Sequence, residues 1–255
     1  MQIPVITPLW NTLVGAIFYS LAFFYQYLGS AGLAIIALTI AVRIILVPLT
    51  WKQTKSMVEM QRIQPKLKEL QTKYKKDPEK LQQETMKFYQ ENKVNPFGGC
   101  LPLLVQMPVF IALYQVLSKV GNATELAKMG LPPDSPLAAA NPSFYGIIPN
   151  IAKTAQDIFQ ATLAKGVTIE GILAMLPYVV LILLFAVSIY VPQRMTTTDP
   201  SQRRIGLIMA VMFLWFGWVA PAGVMLYWVT SSAWQVAQQW ITMRMMNRTE
   251  GAEAK

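Results

Sequence analysis

Long apolar stretches recur along the chain, and they predict helices that cross a membrane. A helix of about 20 apolar residues spans the hydrocarbon core of a bilayer, which is about 30 Å thick. Each stretch is predicted to be a helix rather than a strand, because an isolated strand leaves its backbone polar groups unpaired in lipid. The five predicted spans are residues 31–50, 101–120, 171–191, 205–220 and 221–241.

The segment Trp10–Leu28 allows two arrangements. It is apolar and aromatic enough to cross a bilayer, but it also carries Asn11, Ser20 and Gln26. Its aromatic residues suit a helix that lies along the membrane interface. Only Gly29–Ser30 separates this segment from the first predicted span, so both a crossing and an interfacial helix remain open.

Composition and charge support a membrane protein and set its orientation. Hydrophobic residues make up 54% of the chain and charged residues 14%, which is too apolar for an ordinary soluble domain. Eleven basic and six acidic residues fall between 51 and 95, and further arginines lie in the 192–204 connector and the C-terminal tail. Because basic loops stay in the cytoplasm, these three regions are predicted to be cytoplasmic and the 121–170 loop extracytoplasmic.

The segment 51–95 is predicted to be a cytoplasmic coiled-coil hairpin. Its apolar residues alternate at spacings of three and four, which is typical of a coiled-coil seam. Pro65 predicts a kink or a restart, and Asp77–Glu79 predicts the start of the second helix. The two seams are formed by Met60, Ile63, Leu67, Leu70, Tyr74, Leu81, Thr85 and Phe88. The lysine-rich outer faces favour anionic lipid or RNA, although a solvated hairpin without a binding role is equally compatible.

Arg43 is the charged residue that stands out, because it lies within the first predicted span. An arginine near the middle of a membrane costs about 2.5–3.5 kcal/mol on insertion scales, so it normally faces a bundle interior or a wet cavity. One alternative is that Arg43 extends its side chain toward the cytoplasmic end at Trp51. No acidic residue lies in any predicted span. We therefore expect a positive, hydrated groove that accepts an acidic, hydrophilic polypeptide segment.

Polar residues in the predicted spans are candidates for the rest of such a groove. Thr39 lies one turn before Arg43 on the same face. The candidates in other spans are Gln106, Gln115, Tyr227, Trp228, Thr230, Ser231 and Ser232.

The residue types present predict that the chain is not an enzyme. The sequence has no histidine, a single cysteine (Cys100) and no P-loop pattern, so we expect no catalytic residues, cofactor or metal. Two other functions remain compatible with the sequence. A small-anion transporter would use Arg43 as its binding charge, and a passive assembly scaffold would use the hairpin.

Three parts of the chain resemble the YidC family of membrane protein insertases. Ala41–Met57 resembles the first core span of that family and Asn95–Phe110 the start of its second. Phe213–Phe216 and Pro221–Trp228 resemble its last hairpin. The resemblance covers about residues 10–245 in order. It is to the short form of the family, since no room for a large periplasmic domain exists before Trp10.

The resemblance implies an insertase and chaperone for nascent membrane proteins, which works alone or with the Sec translocon. It implies one membrane domain over residues 1–255 in the bacterial inner membrane, with a cytoplasmic C-terminus and an interfacial helix at 10–28. The groove residues that it implies are Arg43, Thr39, Met107, Phe110 and Trp228, with Gln106 as a further polar neighbour. The hairpin from Met60 to Phe88 would receive substrate. Anionic lipids and the ribosome are candidate partners, although the short tail weakens ribosome docking, and no sequence-specific nucleic-acid binding is expected.

Overall fold

The chain folds as a set of α-helices joined mostly by short connections. The computed structural model describes residues 6–75, 77–92, 94, 101–138, 142–196 and 200–253, and no β-strand occurs among them. Its apolar helices confirm the predicted all-α membrane fold. The helices are α1 (Ile6–Leu28), α2 (Ala31–Ile45), α3 (Val47–Lys73), α4 (Pro78–Glu91), α5 (Leu101–Leu117), α6 (Ala123–Lys128), α7 (Ala155–Ala164), α8 (Ile169–Thr196), α9 (Pro200–Val219) and α10 (Ala222–Glu253).

Helix length and composition identify the segments that are able to cross a membrane. Pro8–Leu28 and Ile169–Val191 are long and apolar enough by themselves. Gln106–Leu117 and Gly206–Val219 are shorter apolar helices. The number of crossings, and whether α1 crosses or lies along the membrane, stay predictions.

The first predicted span is divided between two helices. α2 ends at Ile45, α3 begins at Val47, and their axes meet at a bend of 68°. Pro48 explains the break, because it has no N–H to donate to the preceding turn and is tolerated only in the first turn of a helix. The residues between 47 and 50 therefore belong to the hairpin arm rather than to the helix that carries Arg43.

α3 and α4 pack against each other as the two arms of a hairpin. Of the kink or restart expected at Pro65, the restart does not occur, because α3 continues through this residue to Lys73. The expected cap does occur, since the Asp77 carboxylate accepts a hydrogen bond from the Lys80 backbone N–H at 3.1 Å. Leu67 is buried, and the remaining predicted seam residues are partly buried: Met60, Ile63, Leu70, Tyr74, Leu81, Thr85 and Phe88.

The apolar core lies where α1, α2, α5, α8 and α10 meet. α10 enters it through Gly223, where a Cβ atom would come within 3.1 Å of Ile35 Cδ1 and 3.3 Å of the Ile151 carbonyl oxygen. The loop before α7 holds this end of the helix. The Ala222 and Gly223 N–H groups donate to the carbonyls of Lys153 and Ile151 at 3.0 and 2.8 Å. Backbone donors at a helix start, which have no partner inside the helix, are satisfied in this way.

Candidate functional site

Arg43 lies in the last turn of α2, is partly buried and reaches toward α10. Its Nε donates a hydrogen bond to the Ser231 hydroxyl at 3.0 Å, and its Nη2 donates to the same oxygen. No carboxylate of the described residues pairs with this guanidinium. The hydrogen-bond acceptor of the positively charged guanidinium is therefore a neutral hydroxyl.

A second polar pair lies beside the arginine. The Gln106 side-chain amide of α5 donates to the hydroxyl of Tyr227 on α10. Tyr227 is buried and precedes Ser231 by one turn, so both side chains lie on the same face of α10. We refer to Arg43, Ser231, Tyr227 and Gln106 as the arginine cluster. It joins α2, α5 and α10.

Trp228 stands among aromatic rings from three other helices. Its ring centroid lies 5.3 Å from that of Phe110 on α5, 5.7 Å from Phe185 on α8 and 6.0 Å from Phe213 on α9. Edge-to-face and tilted ring pairs at such distances stabilise packing beyond the area they bury. Phe110 and Trp228, both predicted site residues, are thus in contact next to the arginine cluster.

The other two predicted site residues are placed differently. Thr39 is buried, and its hydroxyl donates to the Ile35 carbonyl of its own helix at 2.6 Å. Its hydrogen bond is therefore used within α2 and does not reach Arg43. Met107 is 42% exposed on the surface of α5, so it is available for contact with an apolar partner.

A polar contact that the sequence does not reveal continues the arginine cluster toward the hairpin. The Gln238 side-chain amide donates to the Thr50 hydroxyl at 2.8 Å, and its carbonyl oxygen accepts from Trp234 Nε1 at 3.2 Å. Thr50 and Gln238 are 188 residues apart in the chain, as are Arg43 and Ser231. α10 therefore keeps one register against α2 and α3 through the bend between them.

The tip of the hairpin is basic and aromatic. The ammonium groups of Lys73 and Lys80 lie 5.3 and 5.6 Å from the centroid of the Tyr74 ring. Cation–π contacts of this kind hold the lysine side chains over the ring while their charges stay in water. The hairpin therefore presents fixed positive charge at its tip.

The described residues do not bring together any group of histidine, cysteine, aspartate and glutamate side chains that is able to hold a metal ion. The Asn95–Cys100 part of the family resemblance lies outside the described residues.

These observations define a helical membrane protein in which the last helix, α10, takes part in two groups of side chains. One is the arginine cluster, and the other is the group of aromatic rings around Trp228. Residues 23–250 match the model of the 60Kd inner membrane protein family. The chain belongs to this family.

Relatives with similar sequences carry the name membrane protein insertase YidC. The one from Caldanaerobacter subterraneus is 35% identical over 231 residues, which covers 91% of this chain and 94% of the relative. The one from Cellvibrio japonicus is 37% identical over 240 residues, and the chain spans only 36% of its length. Membership of this family confirms the resemblance seen in the sequence and agrees with a protein that is not an enzyme.

A solved structure has a similar fold. It is the crystal structure of an active YidC insertase with its first transmembrane domain resolved. The TM-score is 0.58 at 28% sequence identity, and the alignment covers 88% of this chain and 45% of that one. The arrangement of helices described above is therefore similar to that of about half of this solved structure.

Proposed function

We propose that the chain inserts nascent membrane proteins into the bilayer and assists their folding, alone or with the Sec translocon. The names of its relatives support this function, and the Caldanaerobacter relative supports it along nearly its whole length. In this proposal a hydrophilic groove around Arg43 is open to the cytoplasm and receives the part of the substrate that must cross.

The observation that carries the proposal is the hydrogen bond from Arg43 to Ser231, because its acceptor is neutral and no carboxylate among the described residues pairs with the arginine. A charge inside a membrane is expensive and is usually paired or functional. Opposite charges attract more strongly in a medium of low dielectric than in water. An acidic segment of a substrate supplies the missing negative charge for as long as it stays in the groove.

Apolar and polar surfaces meet at this site, which suits a substrate that has both. The arginine cluster offers hydrogen bonds and charge, whereas Met107, Phe110 and Trp228 offer an apolar surface beside it. The acidic segment binds to the first and the hydrophobic segment moves along the second into lipid. Burial of apolar surface at about 25 cal/mol per Å² drives this step without a nucleotide.

The hairpin is the proposed first contact for substrates and lipid. Its seam around Leu67 is buried, whereas Met86 on α4 is exposed to solvent. The basic tip with Lys73, Tyr74 and Lys80 suits anionic headgroups, which attract clustered lysines at a membrane surface.

The test is insertion by the purified chain in vesicles. The substrate is a small single-span protein with an acidic N-terminal segment, and a photoreactive residue replaces Met107 or Phe110. We expect crosslinks to the substrate at both positions and their loss in Arg43→Ala. Arg43→Lys keeps the charge and should keep most of the crosslinking, and Lys165→Ala, which removes an exposed charge on the predicted outer side, serves as the control.

Two results would assign a different function to the chain. Saturable uptake of a small anion without insertion of the substrate would identify a transporter. Insertion that survives Arg43→Ala but not deletion of the hairpin would identify a scaffold.

A further inference from the structure

A cavity lies on the outer surface of α10, toward the end of the helix that is predicted to be cytoplasmic. Its volume is about 190 Å³, and the residues that line it are Trp240, Ile241, Arg244 and Met245. Residues at these spacings share one face of a helix. The side chains of Trp240, Ile241 and Met245 are 52%, 45% and 51% exposed. A ligand from outside the protein is therefore able to reach the cavity.

Arg244 supplies a positive charge that is held in place at this cavity. The central carbon of its guanidinium group lies 4.9 Å from the centroid of the Trp240 ring. This cation–π contact orients the group but uses none of its five N–H donors. Among the described residues, no carboxylate pairs with Arg244 and no hydrogen-bond acceptor takes up its N–H groups. These donors are available to an anion, and a guanidinium binds two oxygens of one phosphate at once.

The positions of Trp240 and Arg244 along α10 match the boundary of a membrane. They lie about 27 Å and about 33 Å along the helix axis from its start at Ala222. The loop that holds this start is on the predicted outer side, and a hydrocarbon core is about 30 Å thick. In the predicted topology, Trp240 therefore falls at the inner edge of the core, where tryptophan is enriched, and Arg244 falls at the level of the headgroups.

We propose that this face of α10 binds a single anionic phospholipid of the inner leaflet. The Arg244 guanidinium donates hydrogen bonds to the headgroup phosphate, and the Trp240 ring keeps the guanidinium in position. Ile241 and Met245 contact the glycerol and the first acyl carbons. Toward the membrane centre the same face of the helix continues with Ala237, which is exposed and uncharged, so the acyl chains follow an apolar surface.

This site is separate from the basic tip of the hairpin and from the arginine cluster, and it does not depend on the proposed insertase function. Ser231, the partner of Arg43, precedes Arg244 on α10 by about 20 Å along the helix axis. A headgroup bound to Arg244 fixes the depth of α10 in the bilayer. The lipid thereby fixes the depth of Ser231 as well.

Lipid binding to the full chain in an uncharged detergent tests the inference. Native mass spectrometry counts the bound molecules as phosphatidylglycerol, or phosphatidylcholine with the same acyl chains, is added. We expect one phosphatidylglycerol to bind saturably and phosphatidylcholine to bind more weakly, because choline compensates the charge of its own phosphate.

Two arginine variants separate this site from a general effect of charge. Arg244→Gln should weaken the binding of phosphatidylglycerol about fivefold, the change that one arginine makes at an anionic surface. Arg204→Gln is the matched control, because Arg204 is also exposed and lies at the predicted cytoplasmic end of α9. It removes the same charge from the same side of the membrane and should bind the lipid like the wild type.

Tryptophan fluorescence provides a second readout, which locates the bound lipid. Phosphatidylglycerol with bromine atoms on its acyl chains quenches an indole that it contacts. The saturable part of this quenching should disappear in Trp240→Phe. Trp215→Phe, which changes an exposed tryptophan of α9, should keep it.

Three results would overturn the inference. Equal losses of binding in Arg244→Gln and Arg204→Gln would show that only net charge acts. Displacement of the lipid by millimolar inorganic phosphate would identify a site for a soluble anion. A Tm of Arg244→Gln below that of the wild type in the absence of lipid would show that Arg244 stabilises the fold instead.

Discussion

The Ser231 hydroxyl of α10 accepts a hydrogen bond from Arg43 Nε at 3.0 Å, so a neutral group holds the only charged side chain of α2. A carboxylate in place of this hydroxyl would neutralise the arginine permanently. The serine fixes the direction of the guanidinium and leaves its charge available to a ligand.

Removal of the Ser231 hydroxyl should weaken the site without removing its charge. In Ser231→Ala the guanidinium loses its anchor, and we expect insertion of an acidic substrate to fall about two- to fivefold, less than in Arg43→Ala. Thr230→Ala is the matched control, because the Thr230 hydroxyl donates to the Leu226 carbonyl of its own helix at 2.8 Å. Insertion rates in vesicles measure the difference. Equal rates for Ser231→Ala and the wild type would show that the serine does not position Arg43.

The hydrogen bond from Gln106 to Tyr227 should couple α5 to α10. Tyr227→Phe and Gln106→Leu each leave a polar partner unpaired, whereas the double variant removes both partners. We expect a coupling free energy of about 0.5–1.5 kcal/mol in a double-mutant cycle, measured by unfolding in detergent. Additive effects of the two substitutions would mean that the pair does not contribute to stability.

Gly32 on α2 should not tolerate a side chain. A Cβ atom there would lie 2.3 Å from a ring carbon of Phe144 in the predicted extracytoplasmic loop, so the loop must move away. We expect Gly32→Ala to destabilise the chain by about 1–3 kcal/mol. Gly15 on α1 is the matched helical glycine, since a Cβ there would meet its nearest neighbour at 3.9 Å.

Gly15→Ala should be neutral or stabilising by up to about 1 kcal/mol, because alanine favours a helix over glycine. Unfolding temperatures of the two variants test this contrast, and equal values would contradict the close packing of Phe144 on α2.

The predicted extracytoplasmic loop should lose stability in acid through Glu125. Hydrogen bonds from Lys128 at 2.6 Å and Lys119 at 3.0 Å lower the pKa of this carboxyl to about 2. A carboxyl whose pKa is lower in the folded than in the unfolded chain stabilises the fold above its unfolded pKa, and the stabilisation disappears as the pH falls toward the folded value. Glu125→Gln should therefore be less stable than the wild type at pH 6, and the difference should shrink as the pH falls from about 4.5 toward 2.

The control is Thr124→Ala, which changes an exposed, uncharged residue of the same helix. It leaves both ion pairs of Glu125 in place, so its difference from the wild type should not follow this pH dependence. A difference for Glu125→Gln that stays constant between pH 6 and pH 3 would contradict the ion pairs.

The sequence predicts the parts of this fold that depend on local composition. Apolar stretches mark most of the helices that the structure contains, and Asp77 and Pro78 mark the start of α4 because capping is a local interaction. Arg43 is conspicuous because a charge inside an apolar stretch is rare. Its partner is not, since Ser231 is one of several hydroxyl residues in α10 and nothing local indicates which of them faces α2.

Other features depend on contacts between distant parts of the chain. Gln53, Gln238 and Gln239 lie near the ends of apolar stretches, where polar residues are ordinary. Only the fold shows that Gln53 and Gln239 are buried and that Gln238 bonds to Thr50. Thr39 has the right spacing from Arg43, but its hydroxyl bonds to its own helix. Pro65 is compatible with a continuous α3, although its ring usually bends or ends a helix.

The attachment of the α10 start to the carbonyls of Ile151 and Lys153 fixes the point from which the helix begins. The direction and height of every later side chain of α10 follow from the number of residues between it and this start, at about 100° of rotation and 1.5 Å of rise per residue. A single residue inserted between Gly223 and Tyr227 would turn Tyr227, Ser231 and Gln238 together toward a different neighbour while leaving the helix intact. The direction in which the side chains next to Arg43 point thus depends on an attachment at the other end of α10.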